Sequence, residues 1–585
     1  MVGLESSGFG IRWGHGLTYS NRLTVQNRGI NGNSWAMVDC PYLVRSNGGE
    51  TLCLVRGFYT ALWFDEVGSA WVPRFGVHDR LEHQSGEYVH TDARGIRTRF
   101  YDFATSEGPQ GQLKGFEDAF GHTGVAEYDT LQRLETFELS GPGGASNQYE
   151  YDYYETGEVA GRLEWVTLWV NGAEVRRNEF EYYTSSDADG NSGDLKRMAI
   201  QQRVGASWDN LEHYYFRYYT LGEANGFRWG LKYVVGPGAY AAMEADSIDP
   251  LSATDAVLAG YADNYFEYDA QKRVVLEEVS GGSRTYQFER SVSAFSPGPS
   301  EFNQWVTKTV ETLPDGNRNI VFANRAGQVM LKVFASADES EQWCTYNRYD
   351  DHCRVVMRAE PSAFKKVAGA YYDESKADLL DYNATNGQFK YLNNDSGLIH
   401  LTEYYPDVSP PTEGAPGYLK SRQVKKGVQG TAIKIRDWEY TSRTAQGQTI
   451  YPVRKEICYP SASNQLLQIE CTLYSYTWHT DTLQMLTRTT TLPAVAASEH
   501  GSGGTDTRVE EFDGYGRVIE LQDERGIVTG HSYDLATGAL VQRVDDVGGL
   551  DLVTDYEHDD LGRITQELEP VHQVDLVTPS VRRAK

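Results

Sequence analysis

Along most of the chain, apolar and polar residues alternate over short runs that stop at clusters of Gly, Asn, Asp or Ser. The run "VTGHSY" (528–533) is one case; "GGETLCLVRG" (48–57), "YTALWFD" (59–65) and "GIRTRFYDF" (95–103) are others. A period of two places successive side chains on opposite faces, so each run predicts a half-buried strand. Turn residues between runs predict antiparallel hairpins. One stretch departs from the pattern. "SATDAVLAGYA" (252–262) predicts a short helix with Ser252 or Thr254 as N-cap, packed across the sheet.

The hairpins share a signature. An aromatic residue and an Asp close a strand, and Arg and an aliphatic residue follow four and five positions after the Asp. The copies are Tyr128-Asp129…Arg133, Tyr268-Asp269…Arg273, Tyr349-Asp350…Arg354 and Phe512-Asp513…Gly516-Arg517. A further copy has His in the aromatic place: His558-Asp559…Gly562-Arg563. Looser copies are Tyr533-Asp534…Gly538 and Asn324…Gly327. A half-motif, Asp118…Gly121 or Asp523…Gly526, begins ten residues before Tyr128 and Tyr533. Phe512 and Tyr533 stand 21 residues apart, a spacing that suits one hairpin per repeat.

Each residue of the unit has a physical task. Asp at the start of a turn accepts backbone N–H bonds. Gly three positions later suits a left-handed residue in a type I turn with a G1 bulge. Arg reaches back to Asp or lies over a Tyr of the next hairpin. Gln132, Lys272 and Cys353 stand in the Gly place, so the sequence predicts variable turns in the middle of the chain and regular ones near the C-terminus.

The first part reads differently. "GFGIRWGHGLTYSNRLTV" (8–25) is dense in Gly and aromatics, and residues 1–110 form a non-repeat β lead-in to a repeat region over 111–585. Pro/Gly/Ser-rich loops interrupt the array at 290–303, 405–418 and 492–507.

Composition narrows the function classes. The 585 residues carry 39 Tyr, 12 Trp and 58 Gly, as an all-β protein does. The 54 basic and 82 acidic residues give a net charge of −28, which disfavours nucleic acid and anionic membranes as partners. No apolar run is long enough for membrane insertion, and "MVGLESSGFG" has no signal-peptide pattern. The six Cys fall in local pairs, Cys40/Cys53, Cys344/Cys353 and Cys458/Cys471, which leaves both disulfides and buried thiols open.

Candidate chemistry is sparse. His90/Asp92 and His479/Asp481 are i, i+2 pairs without a nucleophile, and nucleophile-elbow, Walker and His-Glu-x-x-His motifs are absent, so no enzyme is expected. Asp187, Asp189, Asn191 and Asp194 crowd hard oxygens onto a Gly-rich loop and make Ca²⁺ a candidate ligand, although Met198 stands where an EF-hand needs a carboxylate. The aromatic runs 149–169 and 213–230 suit either cross-strand pairing or stacking on surface glycans, with Trp165 and Trp169 as the candidate platforms of an adhesin.

The Tyr-Asp-x-x-Gly-Arg-aliphatic unit, its upstream half-motif and its period resemble the Rhs or YD-repeat family. That family includes bacterial Rhs polymorphic toxins, the C components of Tc toxins and the teneurin shell. "RWGHGLTYSNRL" (12–23) and "YVHTDARGIRTRFYDF" (88–103) are similar to segments that precede such repeats. The resemblance implies an antiparallel β-strip spiralling into a hollow shell, or part of one. The shell would enclose a C-terminal cargo, or other segments of a longer chain, in a secreted or cell-surface system. Toxin members end the array in an Asp-Pro-x-Gly core. Asp249-Pro250 continues as Leu251-Ser252 and does not match, so autoproteolysis is not carried over.

Overall fold

The computed structural model describes residues 2–6, 13–22, 28–57, 60–92, 95–118, 122–140, 146–408, 410–445, 447–460, 469–534, 538–558 and 564–570. One antiparallel sheet of 36 strands runs from Tyr42–Ser46 to Ile564–Leu568 in almost strict chain order. Neighbouring runs pair as hairpins because each alternating run is bounded by turn residues. The result is an all-β, open, spiralling sheet. At its start the sheet rolls back on itself. Tyr42 bridges Gln112, and Leu43 N–H donates to the Gly111 carbonyl at 2.7 Å. The strip is continuous through residue 111, where Arg97–Tyr101 pairs with Leu113–Glu117.

A single sheet leaves one apolar face without cover, so the chain supplies second layers. Val2–Ser6, Trp13–Tyr19 and Trp35–Met37 form a small sheet on the strip. Trp13 is fully buried and stacks on Phe137 with ring centroids 3.4 Å apart. The strip's tyrosines grip the main chain of this layer. Tyr149 Oη donates to the Trp13 carbonyl at 3.0 Å and Tyr182 Oη to the Ile30 carbonyl at 3.2 Å. Farther on, residues 360–397 cover strands 305–401. There Leu379, Leu380 and Leu392 are wholly buried against Phe322, Leu331, Val333 and Tyr346.

The short helix near 252–262 is present as Asp255–Leu258, with Thr254 at its N-cap position. A longer helix, Pro237–Ala245, precedes it. Gly236-Pro237-Gly238 reads as a turn, yet Pro is favourable at the first helical position, where its missing N–H has no partner to lose. Tyr240, Met243 and Leu258 bury this segment on the strip. Between the layers Arg217 is 1% exposed; its guanidinium donates to Asp255 at 2.7 Å and to the Tyr215 hydroxyl at 2.9 Å. All six cysteines are free thiols, and burial pushes Cys40 and Cys344 up to about 12.

Removing a stacked, buried indole leaves a cavity between layers. Trp13→Ala is expected to cost about 3–5 kcal/mol in denaturant melts. A loss under about 1 kcal/mol would mean that the lead-in layer does not hold the strip.

Candidate functional site

The repeated hairpin end is the most ordered chemical feature of the molecule. In each tight copy the Asp carboxylate closes its own turn. Asp129 Oδ1 accepts from Leu131 N–H at 2.9 Å and Arg133 N–H at 2.8 Å, while Arg133 Nε donates to Oδ2 at 2.6 Å. Asp269 receives Gln271 N–H, Arg273 N–H and Arg273 Nε at 2.9, 2.9 and 2.7 Å. Asp350 and Asp513 repeat this with Arg354 and Arg517, whose Nε atoms lie 2.8 Å from the carboxylates. Burial opposes the charge on Asp129 and Asp269, but the backbone N–H and guanidinium donors outweigh it and hold both carboxyls below their usual range.

The same Arg and the aliphatic residue after it bind the next hairpin. Arg133 lies 4.2 Å from the Tyr153 ring, and Tyr153 Oη donates to the Leu134 carbonyl at 2.6 Å. Arg354 lies over Tyr404, which donates to the Val355 carbonyl at 3.2 Å. Arg517 lies 4.6 Å from Tyr533, which donates to the Val518 carbonyl at 2.8 Å. In these three repeats carboxylate, guanidinium, ring and carbonyl form a chain from the turn into the following hairpin; after Asp269 the Val274 carbonyl accepts instead from Arg290 Nη1. Asp534 N–H donates to the Ala539 carbonyl at 2.8 Å across a longer turn. Asp559, Gly562 and Arg563, like Gly121 of the first half-motif, lie outside the described residues.

The expectation of variable turns in the middle of the chain is corrected. Gln132, Lys272 and Cys353 adopt φ of 63°, 62° and 67°, beside 74° at Gly516. A register shift precedes Tyr128, Tyr268, Tyr349 and Phe512 alike. The Asp bonds impose the left-handed residue whatever its side chain. The departures come instead from longer turns that carry a second tyrosine. Tyr183, Tyr219 and Tyr405 follow Tyr182, Tyr218 and Tyr404, and donate to the carbonyls of Phe216, Phe266 and Trp438 at 2.8, 2.7 and 2.9 Å. Gly190, Gly226 and Gly414 lie flat on those rings; an added Cβ would sit within 2.6 Å of ring carbon. The Tyr-Tyr doublets and the later Gly were the sequence signal for this second hairpin type.

The four candidate calcium ligands are engaged by the protein itself. Asp187 pairs with Lys196 Nζ at 2.6 Å, and Asp189 lies 3.5 Å from Arg217. Asn191 Nδ2 donates to Asp194, whose other oxygen accepts from Asn33 of the lead-in at 2.8 Å. Among the described residues no three His, Cys, Asp or Glu are placed to hold a metal. Asp194 is fully buried, and burial pushes its pKa up to about 6 against the hydrogen bonds from Asn191 and Asn33. Trp165 lies 4.4 Å from the Arg177 guanidinium, and Trp169 Nε1 donates to Glu150 at 2.9 Å. In the two His–Asp spacings each His has a partner elsewhere, His479 Nε2 lying 3.4 Å from the Phe512 carbonyl. His90 meets Asp79 at 2.9 Å, and Asp92 caps its own turn through Ile96 N–H.

Hairpin tips from early in the strip meet tips from far later. His78 stacks on Tyr418 at 4.4 Å, His122 on Tyr515 at 4.3 Å, and Phe75 meets Phe302 edge-on at 5.9 Å. Arg517 lies 4.5 Å from the same Tyr515 ring, so a repeat arginine braces this seam.

No family model and no curated protein matches the chain. Among solved structures, that of TcdB2-TccC3-TEV is similar over 95% of this chain and 32% of its own, at 11% identity and a TM-score of 0.28. The chain therefore spans about a third of that structure's length. A porin-like protein from Bacteroides uniformis is similar over 55% of this chain and 92% of its own, at 11% identity and a TM-score of 0.16. Neither likeness is strong enough to carry an inference about function.

Two outcomes are expected. A double-mutant cycle of Arg517→Ala with Tyr533→Phe and Tyr533→Ala should give an Arg–ring coupling of about 0.5–1 kcal/mol, and loss of the hydroxyl should cost about 1 kcal/mol. For Asp194 the folded pKa lies above the unfolded value, so its stabilisation is complete below the unfolded pKa and is lost as pH rises through about 6. Relative to Asp194→Asn, the wild type should lose roughly 3 kcal/mol between acid and neutral pH. A flat difference across that range would refute a buried, charge-averse Asp194.

Proposed function

We propose that the chain is the wall of a shell that encloses or presents a polypeptide cargo, and that it works sterically rather than by catalysis. The observation that carries this reading is the seam. A continuous strip brings hairpin tips near residues 75–122 against tips at 302, 418 and 515, as a wall does when its coils stack edge to edge. The YD-type repeats support it, because each hairpin binds the next without needing a core on both faces. The distribution of burial also supports it. Leu483 is the last buried hydrophobic residue of the described chain, so the wall beyond it is one layer thick and offers a face to other polypeptide. The cargo would be another segment of a longer chain or a separate protein, delivered outside the producing cell or displayed on its surface.

Electron microscopy of the full-length gene product, paired with its intact mass, tests the reading. The expected result is a closed wall around internal density that survives protease. A solid particle, or cargo cleaved as fast as in its free form, would contradict it.

A further inference from the structure

In a chain with a net charge of −28, one cleft carries more basic than acidic side chains. It lies on the strip where Val355–Ala359, Leu398–Tyr404 and Leu419–Lys426 run side by side, and has a volume of about 540 Å³. That is within the range of small-ligand pockets, about 300–1,000 Å³. Arg358, Glu360, His400, Thr402, Tyr404 and Arg422 line it.

Several arginines of the sheet are balanced by a carboxylate on the next strand. Arg488 pairs with Glu510 at 2.5 Å and Arg454 with Glu439 at 2.7 Å, each across adjacent strands. In the cleft, Arg358 and His400 share a single carboxylate oxygen, Glu360 Oε1, at 2.7 and 3.6 Å. Arg422 has no carboxylate in ion-pair range among the described residues. Its direct cross-strand partners are Thr402 on one side and, on the other, Arg436, which is itself committed to Glu456 at 2.5 Å. Like charges placed opposite on a sheet are destabilising. Within the fold this guanidinium meets a ring rather than a carboxylate, so an anion in the cleft would gain a bidentate donor. The Arg422 guanidinium lies 5.6 Å from the Trp438 ring, and the Thr402 hydroxyl, the Glu360 carboxylate and the His400 imidazole line the cleft beside it. Guanidinium groups beside neutral and acidic hydrogen-bonding groups, all on neighbouring strands, suit a sugar that bears a carboxylate.

We propose that this cleft binds an acidic saccharide, with its carboxylate on Arg422 and Arg358 and its hydroxyls on Thr402, Glu360 and His400. The site does not depend on the shell reading, nor does it use Trp165 or Trp169. Saturation-transfer NMR and calorimetry on the full chain would compare a sialic-acid-terminated and a glucuronic-acid-terminated oligosaccharide, their neutral counterparts and inorganic phosphate. At least one acidic sugar is expected to bind, with its neutral counterpart and phosphate at least roughly tenfold weaker. Arg422→Gln should reduce that binding by at least about tenfold, while its melting temperature stays level or rises because the Arg422–Arg436 repulsion is gone. Arg358→Gln gives an independent second loss. Three results would overturn the assignment: no acidic sugar binds, phosphate binds as well as the sugar, or binding survives both substitutions.

Discussion

The repeat turns of the strip depend on one carboxylate each. An Asp at the strand end accepts two backbone N–H groups of its own turn and the guanidinium four residues on, as at Asp513. The turn is thereby closed and the Arg is aimed. Aimed in this way, Arg517 lies on the tyrosine of the next hairpin, whose hydroxyl takes the carbonyl beside that Arg. Charge-assisted hydrogen bonds in partly buried places are stronger than neutral ones and fix geometry as well as energy. The linkage is local in sequence, so it can be repeated along a strip of any length.

Such a linkage sets the edges of the sheet but does not bury its face. The protein meets that need in two places along its length. The small sheet of Val2–Ser6, Trp13–Tyr19 and Trp35–Met37 covers the early strands, and residues 360–397 cover the middle ones. Beyond Leu483 the described strands stand as a single layer, held by hairpin links and by ion pairs such as Arg488–Glu510. The early layers are anchored by side chain to main chain, as in Tyr149 to the Trp13 carbonyl, so they require shape more than a particular sequence.

Strand runs and the tight repeats were legible from sequence because period two and turn chemistry are local. The helix Pro237–Ala245 was not, since its Gly-Pro-Gly entry looks like a turn and its packing on distant strands decides the outcome. The turns at Gln132, Lys272 and Cys353 were misjudged by weighing the left-handed penalty alone. An Asp carboxylate with three donors outweighs a penalty of about 1 kcal/mol. The calcium reading failed to foresee Lys196, Arg217 and Asn33, which come from other strands or from the lead-in. The contact between His122 and Tyr515 joins residues far apart in the chain, and no local pattern announces it.

Each Asp–Arg–Tyr link carries cohesion from one hairpin into the next. Native-state hydrogen exchange of Arg517→Ala tests it most directly. Loss of protection should spread through Thr507–Phe512, Val518–Gln522 and Val528–Tyr533, and leave the layered strands Leu163–Val170 and Ala173–Tyr182 unchanged. Loss confined to the 513–517 turn, or uniform loss over the whole strip, would contradict the account.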